Sequence, residues 1–352
     1  MKKLVIMIGP SPTARGGIAS VIKTYYEHGY GADGTTRFIA SHVDGSMPRK
    51  ALQAALALAQ FLGLLLRGKV ALLHVHVASG VSFWRKAVFI RTARLFGRPV
   101  LFHLHGGAFC DFMDNGLSGW AQRFAVATVA KSSAAFALTD DSATWLRERA
   151  GLAAVDVFPN PVAVPPAKPR KAGLRDVLFL GRIEDKKGVF DLIRAFAAVH
   201  TARPEARLVL AGEGDIAQAR ALADQLGLGA AVVLPGWVDG TARAALMDQA
   251  AVFALPSHTE QMPMSILEAM ACGIPVVATN IGAIPLMLSQ GKCGILVQPR
   301  NTVDLGASIL RILEDNVLAD TISASGLARV RSEYMVETVL ERLARRYKEL
   351  AA

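Results

Sequence analysis

Two basic residues stand where a strand gives way to a helix in the second half of the chain. Arg182 lies at the end of the apolar run 177–183, and Lys187 comes just before the next helical segment. A fixed guanidinium and ammonium at such a turn can clamp a diphosphate and stabilise the charge that builds on it as a bond to it breaks. A solvated charged loop has the same composition, so this interpretation depends on the segments that accompany it.

Two glutamates follow in the segment 256–273. Pro263 is typical of the first turn of a helix and Gly273 of its end, so Glu260 is predicted in the preceding loop and Glu268 within the helix. The acid and nucleophile of a retaining glycosidase would have to flank the substrate from opposed positions. Carboxylates along one loop and helix are better placed to accept hydrogen bonds from sugar and ribose hydroxyls, although exposed glutamates beside an ordinary helix share this spacing.

A glycine pair, Gly16 and Gly17, follows the first apolar run and precedes a helical stretch. Glycines at a helix N-terminus let backbone amides approach a phosphate, and the helix dipole favours an anion there. A tight strand-to-helix turn also needs glycine for conformation alone. The spacing departs from the G-x-G-x-x-G fingerprint, so a dehydrogenase is not indicated.

Apolar runs of strand length alternate with helix-length segments throughout the chain, which predicts an α/β fold with parallel, doubly wound sheets. Ligands of such folds bind at the carboxyl ends of the strands. We expect two Rossmann-like domains that face each other across a central cleft. The runs are 4–8, 37–43, 70–77, 99–105, 134–139 and 155–158 in the first half, and 177–183, 206–212, 231–238, 251–256, 274–279 and 294–299 in the second.

The 352 residues suffice for two domains, and a proline-rich stretch indicates where they meet. Its prolines are Pro159, Pro161, Pro165, Pro166 and Pro169. We therefore predict an N-terminal domain at 1–165 and a C-terminal domain at 166–335. A helix over 336–352 is expected to pack back toward the N-terminal domain.

The positive charge of the chain is concentrated in its first half. Residues 1–170 carry 20 basic and 9 acidic side chains, whereas residues 171–352 carry 19 and 20. This asymmetry indicates an anionic partner for the first half: a membrane surface, a phosphorylated substrate or a nucleic acid. The basic residues are not interleaved with a stacking platform, which makes a nucleic acid the weaker of these alternatives.

One segment has the composition of a membrane-surface helix. Residues 51–66 lack charges and are flanked by Arg49, Lys50, Arg67 and Lys69. The segment is too short to span a bilayer, so it is either a helix packed on the sheet or an interfacial helix with basic anchors. Aromatic and basic residues over 83–98 add to the second possibility.

The cysteines and histidines do not predict a metal site. Cys110, Cys272 and Cys293 lack metal-ligand spacing and cannot all pair, which favours a reducing, cytoplasmic setting. His74 and His76 alternate along one strand, face one side and are expected to be core or cleft-edge imidazoles. His76, at the end of the strand, is the better candidate for the cleft.

These segments together resemble the retaining glycosyltransferases of family 4, the "group 1" family with the GT-B fold. The Glu260–Glu268 segment is similar to the E-x7-E signature of that family. The other matching motifs occur in the family's order: Gly16-Gly17, His103 to Gly107, Pro159 to Val162, Gly181-Arg182 with Lys187-Gly188, Ala211 to Gly214, and Leu234 to Gly236. The resemblance extends over essentially the full chain. It departs from the family at Gln261, where glycine is frequent.

The resemblance implies that the N-terminal domain at 1–165 is on the acceptor side and that the C-terminal domain at 166–335 binds the nucleotide-sugar donor. It also implies a role for each matching residue. Glu260 would contact donor-sugar hydroxyls, Glu268 the ribose, and Arg182 with Lys187 the donor diphosphate, so that no metal and no separate cofactor is needed. His105 would lie beside the donor sugar and join Glu260, Arg182 and Lys187 as a catalytic residue. The remaining donor-binding positions are Gly16, Gly17, Val238, Met262, Pro263 and Met264.

The activity implied is transfer of a sugar from a nucleotide-sugar donor to a hydroxyl of a lipid-linked or oligosaccharide acceptor, with retention, in bacterial exopolysaccharide or cell-surface polysaccharide synthesis. We expect His76, Asp111, Arg85 and Lys86 on the acceptor side and a peripheral location at the cytoplasmic face of the inner membrane. Asp111 could equally be a surface carboxylate. A nonhydrolysing nucleotide-sugar epimerase of the same architecture and a nucleic-acid-binding protein remain as alternatives.

Overall fold

A computed structural model of the protein describes residues 3–166 and 173–351, which form two compact units. The first unit includes the chain up to Pro161 and resumes at Val336, and the second is Val162–Met335. The change of unit thus falls four residues before the predicted boundary at 165. Val162 already belongs to the second unit, because its backbone N–H donates to the carbonyl of Tyr334 at 2.8 Å. Pro169 of the predicted linker lies outside the described residues.

The first unit is built on a six-stranded parallel sheet with the order β2-β1-β3-β4-β5-β6. Its strands are β1 (Leu4–Pro10), β2 (Thr36–His42), β3 (Val70–Val77), β4 (Val100–Leu104), β5 (Ala134–Ala137) and β6 (Val155–Val157). Its helices are α1 (Gly17–Glu27), α2 (Met47–Leu66), α3 (Val81–Leu95), α4 (Phe109–Asp114), α5 (Gly119–Val129), α6 (Asp140–Glu148) and α14 (Val336–Ala351). β3 and β4 are buried almost throughout, as strands covered by helices on both faces must be.

The second unit contains another six-stranded parallel sheet, ordered β12-β11-β10-β7-β8-β9. Its strands are β7 (Asp176–Leu180), β8 (Arg207–Ala211), β9 (Val232–Gly236), β10 (Ala250–Leu255), β11 (Val276–Thr279) and β12 (Ile295–Val297). Its helices are α7 (Val189–Ala202), α8 (Ile216–Gln225), α9 (Gly240–Gln249), α10 (Met264–Ala271), α11 (Ile284–Met287), α12 (Thr302–Glu314) and α13 (Asn316–Arg329). The prediction of two doubly wound α/β sheets is confirmed.

Helix α14 completes the first unit through an amphipathic face. Val336, Val339, Leu343 and Tyr347 are buried at helical spacing. The Tyr347 hydroxyl lies 2.6 Å from His74 Nδ1 on β3, and 3.2 Å from the hydroxyl of Tyr30. A buried hydrogen-bonded network therefore joins Tyr347 of α14 to Tyr30 and His74, which come much earlier in the sequence.

Helix α2 is only partly buried, whereas its composition also allowed a helix that is buried against the sheet. It is the one helix among the described residues that is long and apolar enough to cross a membrane, with a mean hydropathy of 1.3. Only Ala57, Phe61, Leu64 and Leu65 are buried on the unit. Apolar side chains also stand exposed on it, among them Met47, Leu52, Leu56 and Leu66. The helix thus packs on its unit along one stripe and presents other apolar residues to the outside.

Candidate functional site

The carboxyl ends of β7 and β10, neighbours in the second sheet, bring the predicted diphosphate and sugar residues together. Lys187 ends a short 3-10 turn after β7, and the next residue, Gly188, has a φ of 68°. A Cβ at Gly188 would overlap the carbonyl oxygen of Pro256, so glycine is required for this turn to lie against the segment after β10. His258 continues the contact by donating its backbone N–H to the Lys186 carbonyl at 2.8 Å.

At this junction the Lys187 ammonium and the Glu260 carboxylate form an ion pair. Their side chains are only 23% and 11% exposed. The Ser257 hydroxyl donates to the same Glu260 oxygen at 3.3 Å. Partial burial strengthens the attraction between the two charges, and each restricts the orientation of the other. The sequence indicated both residues but not their pairing.

The loop that carries Glu260 is fixed from the opposite side by the turn after β11. Gly282 has a φ of 54°, and a Cβ there would overlap the Glu260 carbonyl oxygen. The N–H of Ala283 donates to the Gln261 carbonyl at 2.7 Å. Gln261, at a position where the family often has glycine, is therefore bound through its backbone carbonyl. The loop is held by two neighbouring turns.

Glu268 lies in α10, as predicted, and forms an ion pair with Arg243 of α9. Pro263 occupies the N-cap position of α10 rather than its first turn, and Met262 and Met264 are buried beside it. The helix is therefore anchored by apolar contacts at the end nearest to Glu260. Sequence reasoning missed Arg243, because nothing in its local spacing marks it as a partner for a helix that begins 21 residues later.

Arg182 and Val238 are at the same carboxyl edge but are more open. The Arg182 side chain is 70% exposed, and its Nε lies 3.4 Å from a Glu184 oxygen. Val238 is half-buried after β9, beside the exposed Trp237. Within the described residues, the structure pairs Lys187 with Glu260 and leaves Arg182 on an adjacent, solvent-facing loop.

His258 is a second residue that sequence reasoning did not single out. Its Nε2 lies 2.7 Å from an Asp191 oxygen on α7, and its ring is almost buried. This contact joins the segment after β10 to the first turn of α7. The position of His258, two residues before Glu260, was the one available signal.

In the first unit, His76 and His105 meet across β3 and β4. His76 Nδ1 and His105 Nε2 are 2.8 Å apart, and the rings stack with centroids 4.9 Å apart. Burial lowers the pKa of His105 to about 3 and that of His76 well below its usual range, so both imidazoles are neutral near neutral pH. The predicted catalytic histidine is thus held by a predicted acceptor-side histidine.

A second imidazole pair lies deeper in the same stack. His74 Nε2 and His103 Nδ1 are 3.1 Å apart, while His103 Nε2 and His76 Nε2 are buried and have no hydrogen-bond partner among the residues that the structure describes. Candidate ligand nitrogens of His74, His76 and His103 lie within 4.8 Å of one another. Because His74 and His103 already engage each other, we retain the expectation that this group is a core cluster, and the prediction of no metal stays a prediction.

The other predicted residues of the first unit are dispersed. Gly16 and Gly17 are exposed at the start of α1, where Gly16 is the N-cap with a φ of 122° and Gly17 the first helical residue. Asp111 is exposed on α4 and accepts a hydrogen bond from Asn115 at 2.8 Å. Arg85 is half-buried on α3, whereas Lys86 is 1% exposed. Lys86 is therefore not part of an exposed basic surface over 83–98, because it is buried, whereas its place on the acceptor side stays a prediction.

Comparison with solved structures defines the fold class first. Sucrose-phosphate synthase from Thermosynechococcus elongatus superposes with a TM-score of 0.81 at 20% identity, covering 99% of both chains. The Anabaena protein HepE in complex with UDP-glucose gives a TM-score of 0.75 at 20% identity, covering 98% of this chain and 99% of that one. The chain has the GT-B fold, as predicted.

A family model matches the second unit of the chain. Residues 165–328 match the family model "Glycosyl transferases group 1". This segment of the chain is similar to the group 1 glycosyltransferases, which supports the resemblance found from the motifs.

Two curated relatives illustrate the extent of the similarity. Glycogen synthase of Mycobacterium tuberculosis is 31% identical over 204 residues, which are 56% of this chain and 49% of that protein. Phosphatidyl-myo-inositol mannosyltransferase of Mycobacterium leprae is 32% identical over 223 residues, which are 61% of this chain and 59% of that protein. The chain thus spans about half the length of these relatives.

Proposed function

We propose that the protein is a retaining, metal-independent glycosyltransferase that uses a nucleotide-sugar donor. The observation that carries the proposal is the pairing of Lys187 with Glu260 at the ends of adjacent strands. A cation suited to a diphosphate thereby lies beside a carboxylate suited to sugar hydroxyls. Glu268, oriented by Arg243, supplies a second carboxylate for the ribose. HepE, which has the same fold, was solved with UDP-glucose.

The proposed chemistry depends on stabilising the diphosphate as it leaves. Lys187 and Arg182 provide fixed positive charges, and the backbone amides at the start of α10 add a partial positive charge. These groups do the work that a divalent ion does in other transferases, so the reaction needs no metal and no cofactor. Retention is assigned from the family resemblance. The acceptor hydroxyl attacks on the face from which the diphosphate departs, and the departing phosphate takes the proton.

We further assign the acceptor to lipid-linked or oligosaccharide substrates of bacterial surface-polysaccharide synthesis, met at the cytoplasmic face of the inner membrane. The exposed apolar residues Leu52, Leu56 and Leu66 of α2, together with exposed Arg49 and Arg67 at its ends, support this location. Two relatives have lipid-related names, the phosphatidyl-myo-inositol mannosyltransferase and the lipopolysaccharide outer core galactosyltransferase WaaB.

The donor assignment is tested by a metal-free screen of nucleotide sugars, including UDP-glucose, UDP-GlcNAc, UDP-glucuronate and GDP-mannose. We expect one donor to raise the melting temperature and to be slowly hydrolysed. Lys187→Met and Arg182→Ala should lose both effects, while Lys292→Met, which changes an exposed lysine of the same unit, should keep them. Absence of binding by every nucleotide sugar contradicts the proposal. An epimerised sugar nucleotide formed without acceptor favours the epimerase.

The membrane assignment is tested separately by sedimentation with vesicles that contain anionic phosphatidylglycerol. The wild type should bind in a salt-sensitive manner. Leu52→Ser combined with Leu56→Ser should weaken binding, whereas Val317→Ser, at an exposed apolar position of the second unit, should not. Equal sedimentation of all three proteins contradicts a role for α2 in membrane binding.

A further inference from the structure

We propose that Arg85 and Lys86, in the first two turns of α3, form a binding site for a phosphate-class dianion. The inference rests on the proposed function and sharpens it, because it selects a phosphate-bearing acceptor over a neutral oligosaccharide. It depends on the burial of these side chains and on the groups that surround them.

Lys86 is buried in α3. Phe83 and Ile90, three positions before it and four after it, are fully buried on the same side of α3, and Lys86 itself is only 1% exposed. No carboxylate among the described residues forms an ion pair with Lys86, and no hydrogen bond from its ammonium is found there. A buried, unpaired ammonium is strongly unfavourable in a protein interior.

Arg85 places a second cation beside the first. It is half-buried, and its Nε is buried without a hydrogen-bond partner in the described residues. Burial lowers the pKa of both side chains, and the charge of Arg85 lowers that of Lys86 further. Two adjacent like charges oppose each other as well as their desolvation, so this arrangement does not stabilise the unit.

The groups on neighbouring elements add to the positive potential. His42 ends β2, and its pKa is lowered by burial and then by the charges of Arg85, Lys86 and Lys50. The pKa of His76, near the end of β3, is lowered by burial and then by neighbouring charges, that of Lys86 among them. The Asp44 carboxylate opposes these charges by raising the pKa of His42. Asp44 is about half exposed and accepts a hydrogen bond from the backbone N–H of Arg15 at 3.0 Å.

A doubly charged tetrahedral anion fits these features better than other ligands. Arginine offers a planar set of donors and lysine a compact charge, a combination that matches phosphoryl oxygens. The two cations together balance a charge of about two, whereas a carboxylate supplies one. The site is at the carboxyl edge of the first sheet, the edge to which β3 and β4 bring His76 and His105. A phosphate bound by the cations would therefore bring the acceptor to the edge that holds the predicted catalytic histidine.

The site is tested by calorimetric titration of the Lys187→Met variant of the 352-residue chain, in which one of the two donor-clamp cations is removed. Sulfate serves as the dianion because its charge does not change in the alkaline range, and acetate serves as the carboxylate control. Sulfate should bind more tightly than acetate. In the alkaline range its binding should take up protons, measured in buffers of different ionisation enthalpy, because a bound anion favours the charged form of Lys86 and raises its pKa.

Adding Lys86→Met should weaken sulfate binding at least tenfold and abolish the proton uptake. The matched change Lys131→Met, at an exposed lysine of the same unit, should alter neither. The proposal is overturned if sulfate does not bind, or if Lys86→Met leaves affinity and proton uptake unchanged. Inorganic phosphate and vesicles that contain a polyprenyl phosphate then distinguish a free from a lipid-borne phosphate.

A stability measurement separates this site from a structural role of Lys86. In phosphate-free buffer, Lys86→Met should leave the melting temperature of the first unit unchanged or raise it by about 2–4 °C, because an unpaired buried charge is removed. A lowered melting temperature contradicts the proposal. Binding of the nucleotide sugar by Lys86→Met should match wild type, so failure of the anion site and failure of the proposed function are distinguishable.

Discussion

The carboxyl edges of the two sheets treat charge in opposite ways. In the second unit, Lys187 pairs with Glu260 and Arg243 with Glu268, so the cations and carboxylates compensate each other. In the first unit, Arg85 and Lys86 have no carboxylate partner among the described residues. His76 lies near Lys86, and burial lowers the pKa of this imidazole well below its usual range.

The two edges therefore differ in how their charges affect stability and anion binding. An internally paired site keeps its side chains oriented and costs little stability, because each charge is solvated by its partner. An edge with unpaired cations and neutral imidazoles lowers the stability of its own unit but has a larger affinity for anions. Changes that alter charge should therefore have different signs in the two units.

The largest expected difference between the two units is in their loss of folding stability at acidic pH. His74 has an ordinary pKa of 6.5, and burial lowers it to about 3 in the folded protein. Below about pH 6.5 the unfolded chain therefore binds a proton that the folded unit does not, and stability is lost as the pH falls toward 3. At about pH 5, His74 alone contributes a loss of about 2 kcal/mol, and His76, His103 and His105 add to it.

Tryptophan fluorescence can measure this loss for each unit. Trp84, Trp120 and Trp145 report on the first unit and Trp237 on the second. His74→Phe should reduce the pH slope of the first-unit transition, and His28→Gln, at the end of α1, should not. The pH slope is the readout, because His74→Phe also removes one of the two hydrogen-bond partners of the Tyr347 hydroxyl. Unfolding of both units over the same acid range would contradict the comparison.

Breaking the paired edge should have the next largest effect. Lys187→Met leaves the mostly buried Glu260 carboxylate without its cation, and we expect the second unit to lose about 3 kcal/mol of unfolding free energy. The double variant Lys187→Met/Glu260→Gln should recover most of that loss, as measured by denaturant unfolding through Trp237. Additive losses in the double variant would show that the pair does not act as a unit.

The smallest of these effects concerns Arg243. Arg243→Met frees the Glu268 carboxylate, and we expect the dissociation constant for UDP to rise about tenfold, equivalent to about 1.4 kcal/mol. The partly exposed pair should affect unfolding by less than about 1 kcal/mol. Arg331→Met, at an exposed arginine of the same unit, is the control for calorimetric titration. Unchanged affinity for UDP in the Arg243→Met variant would contradict the role of Arg243 in positioning Glu268.

The fold was accessible from the sequence because parallel strands buried on both faces are continuous apolar runs. The run at 70–77 coincides with β3, and the run at 177–183 contains most of β7. The placement of Glu260 in a loop and Glu268 in a helix followed from proline and glycine positions. Strand ends were less accurate, because a run that continues into a loop gives no signal where hydrogen bonding stops.

The contacts within the site were less predictable, because they join positions far apart in sequence. Lys187 and Glu260 are 73 residues apart, and their pairing depends on β10 lying next to β7. The contact between His76 and His105 similarly requires the order of β3 and β4. The burial of Lys86 did have a local signal, since its spacing from Phe83 and Ile90 is that of one helix face. The basic composition of the segment obscured it.

The return of α14 to the first unit has a consequence for the order of folding. Tyr30 and Tyr347 are 317 positions apart, and the whole second unit lies between them. During synthesis, Val162–Met335 can close on itself while the first sheet still lacks the helix that covers His74. Contacts at such separation require a large loss of chain entropy and form late. We expect the unit that emerges first from the ribosome to be the last to become complete.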